Sequence, residues 1–323
     1  MNGGRLGFGC SALVRGRTRR DAIRLLEIAL DAGITHFDVA RSYGTGDAEA
    51  YLGEFASRRR EHITLATKFG MDPVAARAGT RGAKRVVRVA ARRSRRVRGL
   101  VQRHASRTVK RGLFSPEKAR ASLAISLRQL RTDHVDAFLL HDCTRADWEQ
   151  EDLQATLDSL RRDGSIGRYG PATAFAEITA IVGGSHPKLE VAQFEASALR
   201  TNALPQLAGA QGALAITHGC FRDGIGPMLE WASAQPDVAR RWSGRLGVDV
   251  TSPAELAGLL LAAALRLNPD GMVLFSTGDP RRIEHNARVA RERPYERAQV
   301  AEFMRLIGGL VPSERMPLVS GAG

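Results

Sequence analysis

The sequence predicts a (β/α)8 (TIM) barrel forming one domain over residues 1–323, and three observations point there. Short apolar runs, roughly eight of them, alternate with helix-like patterns along the chain. No stretch reads as a domain linker, and no short-period repeat is present. Ionisable residues stand at the C-terminal ends of three predicted strands, the rim where such a barrel carries its active face.

The elements follow in order. Leu6–Cys10 opens the chain as a strand. Thr18–Ala32 repeats apolar residues at helical spacing (Ala22, Leu25, Leu26, Ala29, Leu30), and Gly33 stops it. Ile34–Val39 is a strand, Asp47–Ser57 a helix and Ile63–Phe69 the third strand. Ser115–Pro116 opens a helix to Leu130, with proline where its missing N–H does no harm. Val135–Leu140 is a strand, Asp147–Arg162 a helix, Ile166–Tyr169 a strand and Thr173–Val182 a helix. Leu189–Phe194 and Ala213–Thr217 are strands flanking a short helix near Leu204–Ala208. Residues 219–250 read as irregular or as short helices. Ser252–Glu255 caps a helix to Leu267, Met272–Phe275 is the last strand, and Pro280–Val289 the last helix.

Composition bounds the function. The chain has 323 residues, 43% of them apolar, which excludes a small disulfide scaffold and wholesale disorder. Three cysteines (Cys10, Cys143 and Cys220) are too few and too scattered for a disulfide framework, and the polar Met1–Arg5 start leads to the expectation of no export segment. A cytoplasmic protein is expected. The richest apolar run, Leu256–Leu265, is about half the ~20 residues a membrane span needs, so no membrane partner is expected.

The net charge of +14 has a single source. Residues 73–116 contain no acidic side chain and carry the whole surplus, while the remainder of the chain is balanced. This places a basic insertion after the third strand, at about 73–114, on the active side of the barrel. Three readings stay open for it. It is a solvated arginine-rich lid, an attractor of anionic substrates or an acidic partner, or a surface for nucleic acid or membrane. Between 73 and 113 no aromatic residue is available to stack on single-stranded bases.

At the strand ends stand Asp38, Lys68 and His141, with Tyr43 in the loop five residues beyond Asp38. A lysine–aspartate pair beside a phenol has a chemical use. The cation favours tyrosinate and draws the phenol's pKa down toward working pH, while the carboxylate orients the ammonium. The phenol could then protonate an oxygen as it becomes an alkoxide, with His141 hydrogen-bonded to the same carbonyl. Each residue also has an ordinary reading: a turn former, a structural ion pair, a core imidazole, a packed ring. Gly7-Phe8-Gly9-Cys10-Ser11-Ala12 formally matches a dinucleotide fingerprint but lacks the preceding strand of a βαβ unit. The His141-Asp142-Cys143 and His218-Gly219-Cys220 groups are too sparse for a zinc site, and no metal is expected.

The run from His36 to Gly44, with Glu49 and Leu52-Gly53 after it, resembles the signature of aldo-keto reductases, as do Thr67-Lys68-Phe69-Gly70 and Leu139-Leu140-His141. Val39 replaces the usual threonine. The resemblance extends from Leu6 to about Asn286. It implies Tyr43 as general acid/base, Lys68 and Asp38 as its tuning pair, and His141 as the group orienting the carbonyl. It further implies a nicotinamide dinucleotide lying across the barrel mouth, with Gln193 on the carboxamide. Ser276, Thr277, Arg282 and Asn286 match the segment that holds the adenosine 2′-phosphate and adenine. Ser276 stands where many NADP-preferring members have lysine, whereas Arg282 is kept, so NADP(H) is expected over NAD(H). Gly170-Pro171-Ala172 departs from the family's G-x-S-N, which removes two expected side chains. His218 or Ile216 stands near the position of the usual stacking aromatic, and Glu195 is a candidate substrate contact. The implied activity is reversible reduction of a small aldehyde or ketone, or oxidation of an alcohol or sugar. The alternative is a catalytically weak, cofactor-binding regulatory or interaction protein on the same barrel.

Overall fold

The computed structural model describes residues 4–73, 109–185, 189–199, 212–222 and 224–309. Most of the basic insertion (74–108) and the expected helix near Leu204–Ala208 lie outside the described residues. Eight parallel strands close into a barrel in chain order: β1 (Leu6–Gly9), β2 (His36–Asp38), β3 (Thr64–Phe69), β4 (Val135–His141), β5 (Ile166–Ala172), β6 (Val191–Glu195), β7 (Leu214–His218) and β8 (Met272–Phe275). β8 pairs back onto β1 through Val273 opposite Leu6 and Phe275 opposite Phe8. The expected (β/α)8 class is the observed one.

Local chemistry accounts for the helix ends. Helix α1 (Arg19–Asp31) starts at a Thr18–Asp21 capping box and buries Ala22, Leu25, Leu26 and Ala29 on one face. Helix α2 (Asp47–Ala56) follows a single turn at Tyr43–Gly46. Helix α3 (Pro116–Leu130) is capped by Ser115, with proline at its start. The expected helix over Asp147–Arg162 is split into a short α4 (Arg145–Trp148) and α5 (Glu151–Arg162). A Thr144–Asp147 capping box starts α4, Trp148 is buried at its end, and Gln154 donates to the Trp148 carbonyl at 2.7 Å across the break.

Helix α6 (Phe175–Val182) follows β5. Two helices, α7 (Ile225–Ala234) and α8 (Pro236–Leu246), occupy the stretch read as irregular or short-helical. They pack Trp231 against Trp242, ring centroids 4.6 Å apart, over Leu256, Leu259 and Phe303 in a second apolar cluster. Helix α9 (Pro253–Leu267) is capped by Ser252 as expected, and α10 (Pro280–Glu292) runs three residues past its expected end. A further helix, α11 (Arg297–Gly308), extends beyond the expected last element. Its buried face (Val300, Phe303, Leu306, Ile307) completes that second cluster.

Three features position the rim. First, β5 extends past Tyr169 through Gly170-Pro171-Ala172, and a Cβ at Gly170 would lie 1.8 Å from the Val191 carbonyl oxygen. Only glycine lets β5 and β6 come this close. Second, the interior is filled by Ala66, Ala137, Leu139, Ala172, Val191, Ile216, Met272 and Leu274, so the barrel is packed below the rim. Third, Asp72–Pro73 pairs antiparallel with Val109–Lys110 in a two-stranded ribbon that brackets residues 74–108. Among the described residues no helix is long and apolar enough to cross a membrane.

Candidate active site

Strand register brings the ionisable residues to one corner. Asp38 closes β2 opposite Gly9 of β1 and Ala66 of β3, and Lys68 is two residues further along β3. His141 closes β4 opposite Ala172, which in turn lies opposite Gln193 of β6. Tyr43 enters from the turn after β2, its N–H bonded to the Ala40 carbonyl at 3.0 Å. The turn needs Gly44, which has φ +61° and packs where a Cβ would be 2.6 Å from Val14.

Lys68 is buried, and its ammonium donates to Asp38 Oδ1 at 2.5 Å and to the Val39 carbonyl at 3.1 Å. The Gln193 amide donates to the other Asp38 oxygen at 2.8 Å. The ammonium lies 5.4 Å from the Tyr43 ring centroid, and the Tyr43 and His141 rings meet edge to face at 6.0 Å. Asp38, Tyr43, His141 and Gln193 line one cavity of about 630 Å³, which reaches across the barrel mouth to Ser276.

The electrostatics follow from burial. Desolvation alone would lower Lys68, but the Asp38 carboxylate and the phenol outweigh it and hold the ammonium protonated. Tyr43 behaves otherwise than the sequence suggested. Burial pushes its phenol up, and Lys68 offsets that only in part, so the pKa lies above the ordinary tyrosine value. At neutral pH the hydroxyl is therefore protonated, the form a proton donor needs. Burial and the Lys68 charge depress His141 to about 3, so its imidazole is neutral. Its buried Nδ1 has no hydrogen-bond partner among the described residues, and a neutral ring tolerates an idle lone pair there better than an idle N–H. This favours the tautomer with the proton on Nε2.

Outside the corner, Thr67 donates to buried Glu49 at 2.6 Å, tying β3 to α2. Cys10, Cys143 and Cys220 are all buried free thiols. Desolvation raises all three, Cys220 to about 12, so none is an activated nucleophile. Among the described residues no group of three or more His, Cys, Asp or Glu could hold a metal.

The residues expected to hold a cofactor separate into two places. Gln193 bonds Asp38 in the corner, and Ser276, just after β8, also lines the cavity. Thr277, Arg282 and Asn286 are not cavity-lining residues. Thr277 Oγ1 accepts the Asp279 N–H at 3.2 Å, Arg282 is exposed, and Asn286 is buried within α10. Ser276 Oγ accepts from the Ser11 hydroxyl and the Ala12 N–H, both at 3.2 Å.

Two positions escaped the sequence reading. Thr173, immediately after Gly170-Pro171-Ala172, lines the cavity and so restores a hydroxyl near the lost G-x-S-N side chains. Reading one residue further along the motif would have found it. Arg17 donates to the Ala12 carbonyl at 2.9 Å and the Gly278 carbonyl at 2.8 Å, joining the loops after β1 and β8. No motif signals it. Also on the cavity wall are His218, depressed to about 4 by burial, and Glu195, paired with Arg222 at 2.7 Å.

Comparison with known proteins adds a family. The model described as "Aldo/keto reductase family" matches residues 5–207. An uncharacterized oxidoreductase, YqkF, of Bacillus subtilis (strain 168) is 28% identical over 169 residues, 51% of this chain and 43% of that protein. The D-threo-aldose 1-dehydrogenase of a Pseudomonas species is 30% identical over 175 residues, 51% of this chain and 48% of that protein. The chain thus spans less than half the length of these curated relatives. Among solved structures, an aldo-keto reductase from Klebsiella pneumoniae in complex with NADPH superposes with a TM-score of 0.66 at 17% identity, over 98% of this chain and 95% of that one. That likeness concerns the fold.

Proposed function

The chain belongs to the aldo/keto reductase family, and from that premise we propose that it is an NAD(P)H-dependent oxidoreductase acting reversibly on a small aldehyde or ketone and the matching alcohol. The observation that carries this reading is the gathering of Tyr43, Asp38 and His141 on the wall of a single cavity, with buried Lys68 bonded to Asp38 behind it.

The residues present fit a dinucleotide. Tyr43 and Ser276 line the same cavity, and the segment beyond Ser276 passes into α10 with hydroxyls and arginines of the kind that meet phosphate. Gln193 and Thr173 would hold the nicotinamide end and Ser276, with exposed Arg282, the adenosine end, whereas Thr277 is engaged by the Asp279 N–H and Asn286 is buried within α10. A nicotinamide held there would supply the hydride. Tyr43 holds the proton and delivers it from its hydroxyl to the carbonyl oxygen. Lys68, kept cationic by Asp38, stabilises the phenolate left behind. His141 donates from Nε2 to the same oxygen and fixes its direction without carrying charge. In the oxidative direction the phenolate accepts the alcohol proton.

NADP(H) is the favoured cofactor on this reading, supported by Arg282 and by the NADPH-bound structural relative. Thr173, Glu195 and Arg222 give the cavity wall hydrogen-bonding groups suited to a hydroxylated substrate, and the aldose dehydrogenase relative points the same way. The test is to follow NADPH and NADH oxidation over a panel of aldehydes, including sugars, with wild type and Tyr43→Phe. Turnover in wild type and its loss in the variant are expected. Equal turnover in both would remove Tyr43 from the mechanism.

A further inference from the structure

We propose that Arg41 and Asp72 are positioning residues for Tyr43: their ion pair ties the turn that carries the phenol to the segment leaving the strand that carries Lys68, and so sets where the proton is delivered. The proposal rests on the reading of Tyr43 as proton donor and adds the residues that fix the donor's place.

The need for a tie comes from the local chain. Asp38 and Lys68 are placed by strand register, in β2 and β3. Tyr43 stands instead on a single turn between β2 and α2, whose two glycines, Gly44 and Gly46, have φ of +61° and +94°. Glycine gives such a turn the conformation it needs but does nothing to hold it.

Two contacts bracket the turn. Before it, Arg41 Nη1 donates to Asp72 Oδ1 at 2.9 Å and to the Ser122 hydroxyl of α3 at 3.1 Å. After it, Gly46 lies against Pro73, with 3.6 Å between its ideal Cβ position and Pro73 Cγ. Asp72 and Pro73 lie on the chain leaving β3 beyond Lys68, and the ribbon pairs them with Lys110 and Val109. The turn is therefore held from both ends by one short, registered piece of backbone.

Burial decides which tie matters. The Arg41 and Asp72 side chains are 12% and 29% exposed, and Ser122 is buried, so water reaches the guanidinium on few sides. A charge-assisted bond in that setting keeps its geometry better than a surface pair. Arg111 and Asp142 show the contrast. They join the other leg of the ribbon to the residue after His141 at 2.8 Å, but are 62% and 48% exposed, so solvent and salt weaken the link. His141 is in any case placed by the register of β4. Neither Arg41 nor Asp72 is a cavity-lining residue, so both act through Tyr43 rather than on the substrate.

The experiment follows reduction of the aldehyde that wild type turns over fastest, in wild type, Arg41→Gln, Asp72→Asn and the double variant, with NADPH affinity and the urea midpoint measured on each. A displaced donor slows proton delivery without loosening binding. In each single variant kcat should fall about tenfold, while KM for the aldehyde and Kd for NADPH stay within about twofold. Because the pair acts as one unit, the double variant should lose no more than either single one. Arg41→Lys, which keeps the charge toward Asp72, should recover part of the loss. If Arg41→Gln does not fold, Asp72→Asn, which keeps the shape and removes the charge, decides the matter by the same kcat criterion. Wild-type kcat in the folded single variants, losses that multiply in the double variant, or a change carried by KM or NADPH affinity overturns the proposal. The reading of Tyr43 then survives if Tyr43→Phe is inactive. Full turnover in Tyr43→Phe overturns that reading, and this proposal with it.

Discussion

The Asp38 carboxylate and the Lys68 ammonium meet at 2.5 Å inside the barrel, with 3% and 2% of the two residues exposed. A buried pair of this kind adds modest net stability when intact but is expensive to break on one side. Asp38→Asn leaves an uncompensated cation and should destabilise the fold by about 3–5 kcal/mol in urea unfolding. Adding Lys68→Met to it should recover most of that loss without restoring turnover. A double variant no more stable than Asp38→Asn would show that the ion pair is not what the single substitution breaks.

The pH dependence of reduction follows from Tyr43. Its pKa lies above the ordinary value because burial outweighs the Lys68 charge. The reactive form is the protonated one, so activity is present at low pH and lost as pH rises through the raised pKa. The rate of carbonyl reduction should stay level up to pH ~9 and fall only beyond the ordinary phenol range of about 10. In Lys68→Met the falling limb should move to still higher pH, alongside a lower kcat. A limb centred below pH 8 in wild type would contradict the assignment of Tyr43 as the donor.

Acid sensitivity has a different origin. Burial depresses His36 and His218 to about 4 and His141 to about 3. Each is neutral in the folded protein and takes up a proton on unfolding at mildly acidic pH. Their contribution is complete above the unfolded value of about 6.5 and is lost as pH falls from there toward the folded values. The urea midpoint should drop between pH 6.5 and 4. His36, bonded through Nδ1 to Thr64 at 2.8 Å with Nε2 buried and unpartnered among the described residues, is the clearest contributor. In His36→Leu the slope over this range should be shallower, and an unchanged slope would assign acid sensitivity elsewhere.

Strand packing supplies a fourth expectation. Gly170 faces the Val191 carbonyl oxygen so closely that a methyl group cannot enter without separating β5 from β6. Gly170→Ala should destabilise by about 1–3 kcal/mol and loosen the Ala172–Gln193 pairing that supports the candidate corner. Calorimetry and the KM for cofactor read the two effects separately. A fully stable variant would mean that the close approach can relax.

Much of this architecture is legible in the sequence, for identifiable reasons. Strands and helices around the barrel announce themselves through capping residues such as Thr18, Ser115 and Ser252, and through period-specific apolar patterns. The candidate corner is legible because Asp38, Lys68 and His141 fall at strand ends, which register then aligns. Helix α11 and the Trp231–Trp242 packing were not, since their apolar faces matter only against one another. The state of Tyr43 is not legible in the same way, because spacing reveals the nearby cation but not the burial that opposes it. Arg17 was invisible because its partners are backbone carbonyls far along the chain.

The most direct measurement of the central claim is single-turnover reduction by Tyr43→Phe at saturating NADPH, with NADPH affinity determined on the same sample. The variant keeps the ring and its contact with His141 but has no proton to give. Its hydride-transfer rate should fall by at least ~100-fold with cofactor affinity nearly unchanged. A wild-type rate with intact NADPH binding would contradict Tyr43 as the proton donor.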